Sequence, residues 1–386
     1  MSSILSLLNS IICIISILFS SVFLPAESGL QWKKDNITVY SSVNGAYYPR
    51  IIKLDNGTLL CGFTTSDNLS KTAVKVLASN DGGNSWSDEP VIASCNPEYN
   101  CDNANFIQLE NGDLLLAYRA VLTHNDKTYT SLRTSVSHDN GKTWSAHSLI
   151  VEYTNQLFKG VWEPHLFFIG DTLAVFYAND SLINNGDLKD WQQNIEYRLF
   201  ENGAWSEKHI VSSGVETNSR DGMPVLCRLL DGSYALVVEG TKSTSLKNIK
   251  NGMFIKLMIS KDGLNWDAQK AINIYYPEDS SRSAGAPGIT CLPDGRIAVS
   301  FQTDEDCAGV GSIPEGKGYT MKVMVSSRPV TSLTKRIVFS SPEEPFEMPD
   351  DKYALWSAVF CIDNELIAAT CTNLNGNSIL LKKADI

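Results

Sequence analysis

Residues 105–119 read NFIQLENGDLLLAYR: an apolar run, a turn built on Asn-Gly, and a second apolar run. Asn-Gly supplies the positive φ angles that a tight hairpin requires. The two flanking runs are rich in Leu, Ile and aromatic residues and are too short for helices of ordinary length. The stretch therefore predicts a β-hairpin, and the rest of the chain repeats it.

The hairpin pattern occurs six times, about every 60 residues. Its copies are PRIIKLDNGTLLCGF (49–63), NFIQLENGDLLLAYR (105–119), PHLFFIGDTLAVFYA (164–178), PVLCRLLDGSYALVVE (224–239), PGITCLPDGRIAVSF (287–301) and AVFCIDNELIAATC (358–371). A repeat of this length accommodates the four strands of one propeller blade. The sequence therefore predicts an all-β, six-bladed β-propeller with four-stranded blades, as a single domain over residues 29–386. A duplicated β-sandwich explains the even spacing less well.

A second motif, Ser-x-Asp followed by a glycine and a Trp, lies between the hairpins. It reads SNDGGNSW (79–86), SHDNGKTW (137–144) and SKDGLNW (260–266), with a degenerate copy FENGAW (200–205). The motif resembles the Asp-boxes of sialidase-like propellers. The resemblance implies a structural role at the blade periphery, with each Trp packed between strands, and places none of these residues in the active centre.

The composition and the N-terminal segment predict an exported globular protein. Apolar residues make up 43% of the chain and the net charge is −11, which argues against a nucleic-acid partner because such partners need a basic face. Residues 1–28 contain an apolar run and then small residues before Gly29, as in a secretory signal peptide. We expect a secreted, extracellular monomer with no membrane association after cleavage. A retained N-terminal anchor is the alternative.

The cysteines and sequons fit the same compartment. Without Cys13 the chain keeps eight cysteines, and an even number in an exported protein suggests disulfides. The expected pairs, the first favoured over the others, are Cys95–Cys101, Cys291–Cys307 and Cys361–Cys371. Four sequons permit N-glycosylation, at Asn36, Asn56, Asn68 and Asn179. No cysteine or histidine has metal-ligand spacing, so the sequence predicts no metal site.

Two glutamates stand where a propeller assembles a site. The first-strand starts and second-strand ends of all blades meet at one mouth of the central channel. Glu163 precedes the run PHLFF and Glu239 ends the run YALVVE, so both interrupt apolar strand sequence. Apolar neighbours raise the pKa of a carboxyl group and arginines lower it, so two such acids can take different roles. Either glutamate alone could instead cap a strand at the rim.

Several segments resemble glycoside hydrolase family 93, the exo-α-1,5-L-arabinanases. They are YPRIIKLDNGTLL (48–60), GVWEPHL (160–166), SRDGMPVLCRLLDGSYALVVE (219–239), GAPGITCLPDGRIAVSFQTDED (285–306) and YALWSAVF (353–360). The resemblance implies a polysaccharide substrate and retaining hydrolysis, in which Glu163 and Glu239 are the catalytic pair and no metal or organic cofactor is required. We favour Glu163 as acid/base and Glu239 as nucleophile, although the sequence leaves the order open. The implied substrate-binding residues are Arg50, Asn105, Trp162, Arg220, Asp221, Tyr353 and Trp356.

Two other functions stay open at this point. A sialidase of the same fold would direct three arginines at the carboxylate of its sugar. In the stretch YYPRII, Arg50 is displaced from the position that an arginine has at the start of blade 1 in that family. The arginines that could complete a cluster are Arg119, Arg220 and Arg282. A carbohydrate-binding propeller would use the same mouth without turnover.

Overall fold

The computed structural model describes residues 27–66, 69–124, 127–155, 159–181, 192–241, 252–307, 318–374 and 376–386. The predicted signal peptide, apart from its last two residues, lies outside these ranges, and so does the sequon at Asn68. Over the same ranges, no helix is both long enough and apolar enough to cross a bilayer.

The predicted six-bladed β-propeller is confirmed. Six antiparallel sheets form a ring in which the first strand of each blade contacts the first strands of both neighbours. Blade 1 contains β3 (Tyr47–Lys53), β4 (Leu59–Thr65), β5 (Ala73–Ser79) and β6 (Val91–Ser94). Blade 2 contains β7 (Asn100–Gln108), β8 (Leu114–His124), β9 (Lys127–Ser137) and β10 (Ser145–Asn155). Blade 3 contains β11 (Val161–Ile169), β12 (Thr172–Asn179), β13 (Asn194–Glu201), β14 (Ala204–Trp205) and β15 (His209–Ser212).

The second half of the ring follows the same plan. Blade 4 contains β16 (Gly222–Arg228), β17 (Tyr234–Thr241), β18 (Met253–Ser260) and β19 (Ile272–Tyr275). Blade 5 contains β20 (Ala284–Cys291), β21 (Ile297–Thr303) and β22 (Thr320–Val325), and isolated bridges to Glu343 and Phe339 take the place of a fourth strand. A helix, α1 (Gly214–Thr217), precedes blade 4, and a 3-10 turn (Ala268–Lys270) precedes β19.

Blade 6 closes the ring with strands from both ends of the described chain. It contains β23 (Ala354–Ile362), β24 (Glu365–Thr372) and β25 (Asn377–Asp385). The outer edge of β25 pairs antiparallel with β2 (Ile37–Ser42) and with the short β1 (Gln31–Trp32). The hairpin repeat does not include β1 or β2, so the sequence pattern gave no sign of this closure.

The hydrophobic core lies between the blades. Six buried clusters each combine residues from two neighbouring blades, so no blade buries its faces alone. The motif tryptophans pack against four of these clusters, as predicted: Trp86, Trp144, Trp205 and Trp266. In the Asp-box copy at residues 137–144, the Asp139 carboxylate accepts hydrogen bonds from the Thr143 backbone N–H (2.8 Å) and hydroxyl (2.6 Å). The motifs therefore hold the blade turns.

Each first strand carries the same β-bulge, one extra residue opposite its partner strand. A non-glycine residue with φ between 45° and 59° sits at each bulge. These six residues, here called the bulge ring, are Tyr48, Asn103, Glu163, Met223, Ala286 and Trp356. A bulge re-aims the side chain it carries, so the fold presents six side chains at one level of the channel.

The bulge ring blocks the channel. Tyr48, Met223 and Ala286 form one buried cluster although they come from blades 1, 4 and 5, and Trp356 packs against it. Above this plug lies the mouth, where the first strands start. Below it a cavity of about 460 Å³ runs toward the hairpin turns, and we call this cavity the tunnel.

The predicted disulfides are not formed. Each of the eight cysteines in the described residues is a free thiol. Cys361 pairs with Leu366 beside the hairpin turn, whereas Cys371 pairs with Leu355 at the mouth end, so the length of the blade separates these two thiols. Burial in the strand core raises the pKa of Cys371 to about 12, which suits a small apolar side chain. Cys95 is exposed while Cys101 is buried in β7, and Cys291 and Cys307 lie at opposite ends of the blade 5 hairpin.

The sequons divide by exposure. Asn36 and Asn56 are exposed, which keeps the glycosylation prediction for both. Asn179 is fully buried at the end of β12, and its side-chain amide donates to Glu196 Oε2 (2.9 Å). The prediction for Asn179 is therefore wrong for the folded chain.

Candidate active site

Glu163 occupies the bulge of blade 3, at a φ of 45°. Its side chain is half-buried at the mouth, directly before the buried Pro164. Burial raises the pKa of its carboxyl group to about 7, against the lowering effect of Arg119 and Arg220. A carboxyl group with this pKa is about half protonated near neutral pH, so a protonated form that can act as a donor is present.

Glu239 reaches the mouth from the second strand of blade 4. It pairs with Gly222 across the hairpin. A Cβ on Gly222 would lie 3.0 Å from Glu239 Oε1, and one on Gly285 would lie 2.8 Å from Oε2. The two glycines therefore leave the space that the carboxylate fills. The Ala286 backbone N–H donates to Oε2 (2.8 Å).

The electrostatics of the two glutamates differ. Burial raises the pKa of Glu239, while the Ala286 hydrogen bond and the Arg220 cation lower it. The Glu239 charge in turn raises the pKa of Glu163. The structure thus brings both predicted acids to one mouth, and only Glu239 accepts a backbone hydrogen bond that favours its ionised form.

Arg220 is close enough to both acids to affect their pKa values, and Asp180 pairs with its guanidinium. It acts on the pKa of both Glu163 and Glu239, and its guanidinium Nη2 is 3.6 Å from Asp180 Oδ2. Asp180 is almost fully buried and also accepts from Trp162 Nε1 (2.9 Å). One buried carboxylate therefore orients both Arg220 and Trp162, two of the predicted substrate-binding residues.

Arg119 and Asp102 form a second fixed pair beside Glu163. The guanidinium donates from Nε to Asp102 Oδ1 (2.7 Å) and from Nη2 to Oδ2 (2.8 Å). The Arg119 guanidinium carbon also lies 4.3 Å from the centre of the Trp162 ring. This pair was outside the predicted site, although both residues stand at strand ends that face the mouth.

Tyr48 is the clearest residue that the predicted site omitted. It sits at the blade 1 bulge, and burial together with the charges of Glu163 and Glu239 raises the pKa of its hydroxyl to about 12. A signal was present in the sequence, because Tyr48, Glu163, Met223 and Ala286 each directly precede a proline in a first strand. Tyr319 also lies near Glu239, and burial raises its pKa to about 12.

The two aromatic residues predicted in blade 6 take different positions. Trp356 lies in the bulge ring, where its backbone N–H donates to Gln302 Oε1 (2.7 Å) and its ring meets Tyr47 edge-on (5.6 Å between centroids). Tyr353 packs in the cluster between blades 6 and 1, and its hydroxyl bonds Asn377 Oδ1 (3.4 Å) within its own blade.

Three further predicted residues do not reach the mouth. Arg50 and Asn105 line the tunnel below the plug, and the Asn105 side-chain oxygen accepts from the Leu166 N–H (2.8 Å). Asp221 is almost fully buried and forms an ion pair with Lys256 (Nζ–Oδ1 2.6 Å). Its other oxygen accepts from the Ser212 hydroxyl. Asn105 and Asp221 are therefore held by contacts within the protein.

The arginines do not share one target. Arg282 donates to the backbone carbonyls of Asp304 (2.8 Å) and Cys307 (3.0 Å). Arg119 pairs with Asp102 and Arg220 with Asp180, as described above. The three-arginine cluster that a sialidase site would need is not formed by these side chains.

Comparisons with known proteins agree with this architecture. Residues 18–198 match the family model of the BNR repeat-like domain. A search of curated protein sequences finds no match. An α-L-arabinanase of Penicillium chrysogenum, solved with arabinobiose, has 19% identity and a TM-score of 0.67 over 91% of this chain and 98% of its own.

Two other solved structures extend the picture. A family 93 α-L-arabinofuranosidase of Fusarium graminearum, also solved with arabinobiose, has 16% identity and a TM-score of 0.67 over 91% of this chain and 97% of its own. The NanB sialidase of Streptococcus pneumoniae has 12% identity and a TM-score of 0.60 over 91% of this chain and 71% of its own. At these identities the likeness shows the fold, and this chain is a six-bladed β-propeller whose first half matches the BNR repeat-like domain.

Proposed function

We propose that this protein is a secreted, exo-acting, retaining glycoside hydrolase that cleaves α-1,5-linked arabinan from a chain end. The observation that carries the proposal is the pair of glutamates at one blocked mouth, with the pKa of Glu163 raised to about 7. Two carboxyl groups with unequal proton affinity are what glycoside hydrolysis requires. The fold shared with arabinobiose-bound structures supports arabinan as the substrate.

In this mechanism the two acids act in turn. The Glu239 carboxylate, which accepts the Ala286 N–H, attacks the anomeric carbon. The glycosidic C–O bond breaks as protonated Glu163 donates its proton to the leaving oxygen, which yields a glycosyl-enzyme ester. Glu163, now ionised, takes a proton from water, and the resulting hydroxide displaces Glu239 and restores both groups.

The other residues of the mouth position the sugar. Trp162 offers a ring whose orientation is fixed by its bond to Asp180 and by Arg119. Arg220 stabilises negative charge at both acids as protons move. The plug formed by Tyr48, Met223 and Ala286 ends the pocket, so a polysaccharide enters by its end and cannot thread through.

The test is hydrolysis of linear debranched arabinan, with a sialoside as the competing substrate. We expect release of arabinobiose, lost by about a hundredfold or more in Glu163→Gln and in Glu239→Gln. Glu110→Gln is the matched control, because Glu110 is exposed at a hairpin turn on the opposite face. NMR of the first product should show the anomer of the substrate linkage.

Different outcomes separate the alternatives. Release of sialic acid without arabinose would mean that the protein is a sialidase. A product of inverted anomeric configuration would mean that hydrolysis is inverting rather than retaining. Binding of arabinan without turnover would leave a carbohydrate-binding propeller. Secretion is tested separately, by mass spectrometry of the exported protein, whose first residue should be Gly29.

A further inference from the structure

The tunnel below the plug is a second concave site. It is lined only by first strands, one from each blade, and has a volume of about 460 Å³. Arg50, Asn105 and His165 line it next to the plug, while Lys53 and Arg228 stand at the hairpin-turn end of the same strands. The plug separates this space from the two glutamates.

The charge of the tunnel is opposite to that of the protein. The chain carries a net charge of −11, yet the residues that line the tunnel include Arg50, Lys53 and Arg228 and no Asp or Glu. Lys53 is neutralised by Asp363 outside the lining (Nζ–Oδ2 2.6 Å). Burial and the Arg50 charge lower the pKa of His165 to about 3, so its ring is neutral. The inner end therefore presents one cation, Arg50.

Arg50 is buried without a carboxylate. Its guanidinium lies 3.8 Å from the centre of the Tyr48 ring, and Nη1 donates to the Pro49 carbonyl (2.7 Å). Only 5% of the residue is exposed, and no acidic side chain of the described ranges pairs with it. A buried guanidinium is unfavourable unless it is paired, so an anion that reaches it is stabilised.

The rest of the tunnel wall is largely apolar. Leu226, Ile289, Val359 and Phe360 lie along it. Lys53 is three residues from Arg50 on the same strand, which is about 10 Å at 3.3 Å per residue. The tunnel thus offers one charged end and an apolar length.

We propose that the tunnel is a second ligand site, which takes a small amphipathic monocarboxylate with its carboxylate on Arg50 and its apolar chain along the first strands. A guanidinium and a carboxylate form two parallel hydrogen bonds, and the apolar chain gains from leaving water. The ligand enters the tunnel from the hairpin-turn face. This proposal does not depend on the glycosidase proposal.

The test uses octanoate, whose extended chain is similar in length to the tunnel, in calorimetric titrations of the whole protein at fixed ionic strength. We expect one site per chain and affinity about tenfold weaker for octanol, which lacks the carboxylate. Arg50→Met should weaken octanoate to the level of octanol. Val225→Phe, across the channel from Arg50 in blade 4, should block binding by filling the tunnel. Glu239→Gln should bind octanoate as wild type does.

Three results would overturn the proposal: no octanoate binding, equal affinity for octanol, or binding unchanged by Val225→Phe. If Arg50→Met fails to fold, the octanol comparison and Val225→Phe still decide. A change of octanoate affinity in Glu239→Gln, in either direction, would place the ligand at the mouth instead.

Discussion

Glu163 combines an uncommon backbone conformation with a perturbed carboxyl group. Its φ of 45° lies in the left-handed region, which costs a non-glycine residue about 1–3 kcal/mol. Burial raises the carboxyl pKa of this same residue to about 7. One residue of the bulge ring therefore carries both the backbone strain and the raised pKa.

The first prediction concerns stability and pH. The pKa of Glu163 is raised from its ordinary value of 4.5 to about 7, so the folded state binds this proton more tightly than the unfolded state. Its contribution to stability is full below about 4.5 and is lost as pH rises to about 7. We expect the free energy of unfolding of Glu163→Gln, relative to wild type, to be higher at pH 8 than at pH 4.

Guanidinium unfolding at the two pH values measures this difference. Glu110→Gln, at an exposed turn, should track wild type throughout. A Glu163→Gln curve parallel to wild type at both pH values would show that the carboxyl group is not perturbed by folding.

The second prediction concerns the space for Glu239. A methyl group on Gly285 would lie 2.8 Å from Glu239 Oε2, so Gly285→Ala must displace the carboxylate. We expect kcat/KM on arabinan to fall by about ten- to a hundredfold, because misplacing a reacting group by a fraction of an ångström is costly. Thermal unfolding should change little.

A double variant supplies the control for this prediction. In a Glu239→Gln background, Gly285→Ala should reduce activity no further. An equal loss in both backgrounds would mean that the glycine acts through something other than Glu239.

Sequence reasoning placed four residues of the candidate site at the mouth. Glu163 and Glu239 stand out because they interrupt apolar strand sequence, whereas Trp162 and Arg220 were implied by the family resemblance. Arg50 and Asn105 were expected at the mouth but line the tunnel. The bulge inserts one residue just before each of them, and a one-residue shift changes the direction in which a strand side chain points. The proline after Tyr48 marks this shift in blade 1, whereas no proline follows Asn103 in blade 2.

Among the elements, the Asp-box turns stabilise the blades at their outer edges. Hydrogen bonds from Thr143 and Ser137 lower the pKa of Asp139 to about 2. A lowered pKa means that the ionised group favours the folded state above the ordinary value of 3.8, and that this contribution is lost as pH falls to about 2.

The third prediction tests that turn. We expect Asp139→Asn to lower the free energy of unfolding by about 1 kcal/mol at pH 7, because charge-assisted bonds become neutral ones. The deficit should shrink as the pH falls toward 2. Urea unfolding across this pH range measures it, with Asp171→Asn at an exposed turn as the control. A deficit independent of pH would assign the effect to packing.

The elements themselves were predictable where they repeat. Hairpin turns and blade count follow from spacing and turn chemistry, whereas the resemblance to Asp-boxes implied the packing of Trp144 and Trp266. The outer edge of blade 5 was not predictable, because two isolated bridges at Glu343 and Phe339 replace a strand and leave no periodic pattern.

Across the whole molecule, closure of the ring joins the two ends of the described chain. Ile37 in β2 pairs with Leu381 in β25, and Val39 is buried against the cluster between blades 6 and 1. This pairing links residues that are distant in sequence, so no local pattern announces it. Six consecutive hairpins predict the number of blades but not how the last meets the first.

The fourth prediction removes this closure. Deleting residues 29–42 strips β1 and β2 from blade 6 and exposes the edge of β25. We expect a lower and broader guanidinium transition than in the intact protein, because blade 6 loses its outer strands and part of its core. Calorimetry and circular dichroism measure it.

Adding the missing strand back is the control. A peptide of residues 31–42 should restore part of the midpoint by pairing with β25, and a scrambled peptide should not. Unchanged unfolding after the deletion would show that the ring is held by inter-blade packing alone.

The bulge ring gives the propeller six positions with the same backbone geometry, one in each blade. Each blade already accommodates a left-handed φ at this position, whether the residue is Glu163, Met223 or Trp356. A single substitution at one of these positions can therefore place a reactive side chain in a different blade, with no change in the backbone. A lineage built on such a scaffold is free to change its chemistry faster than its shape.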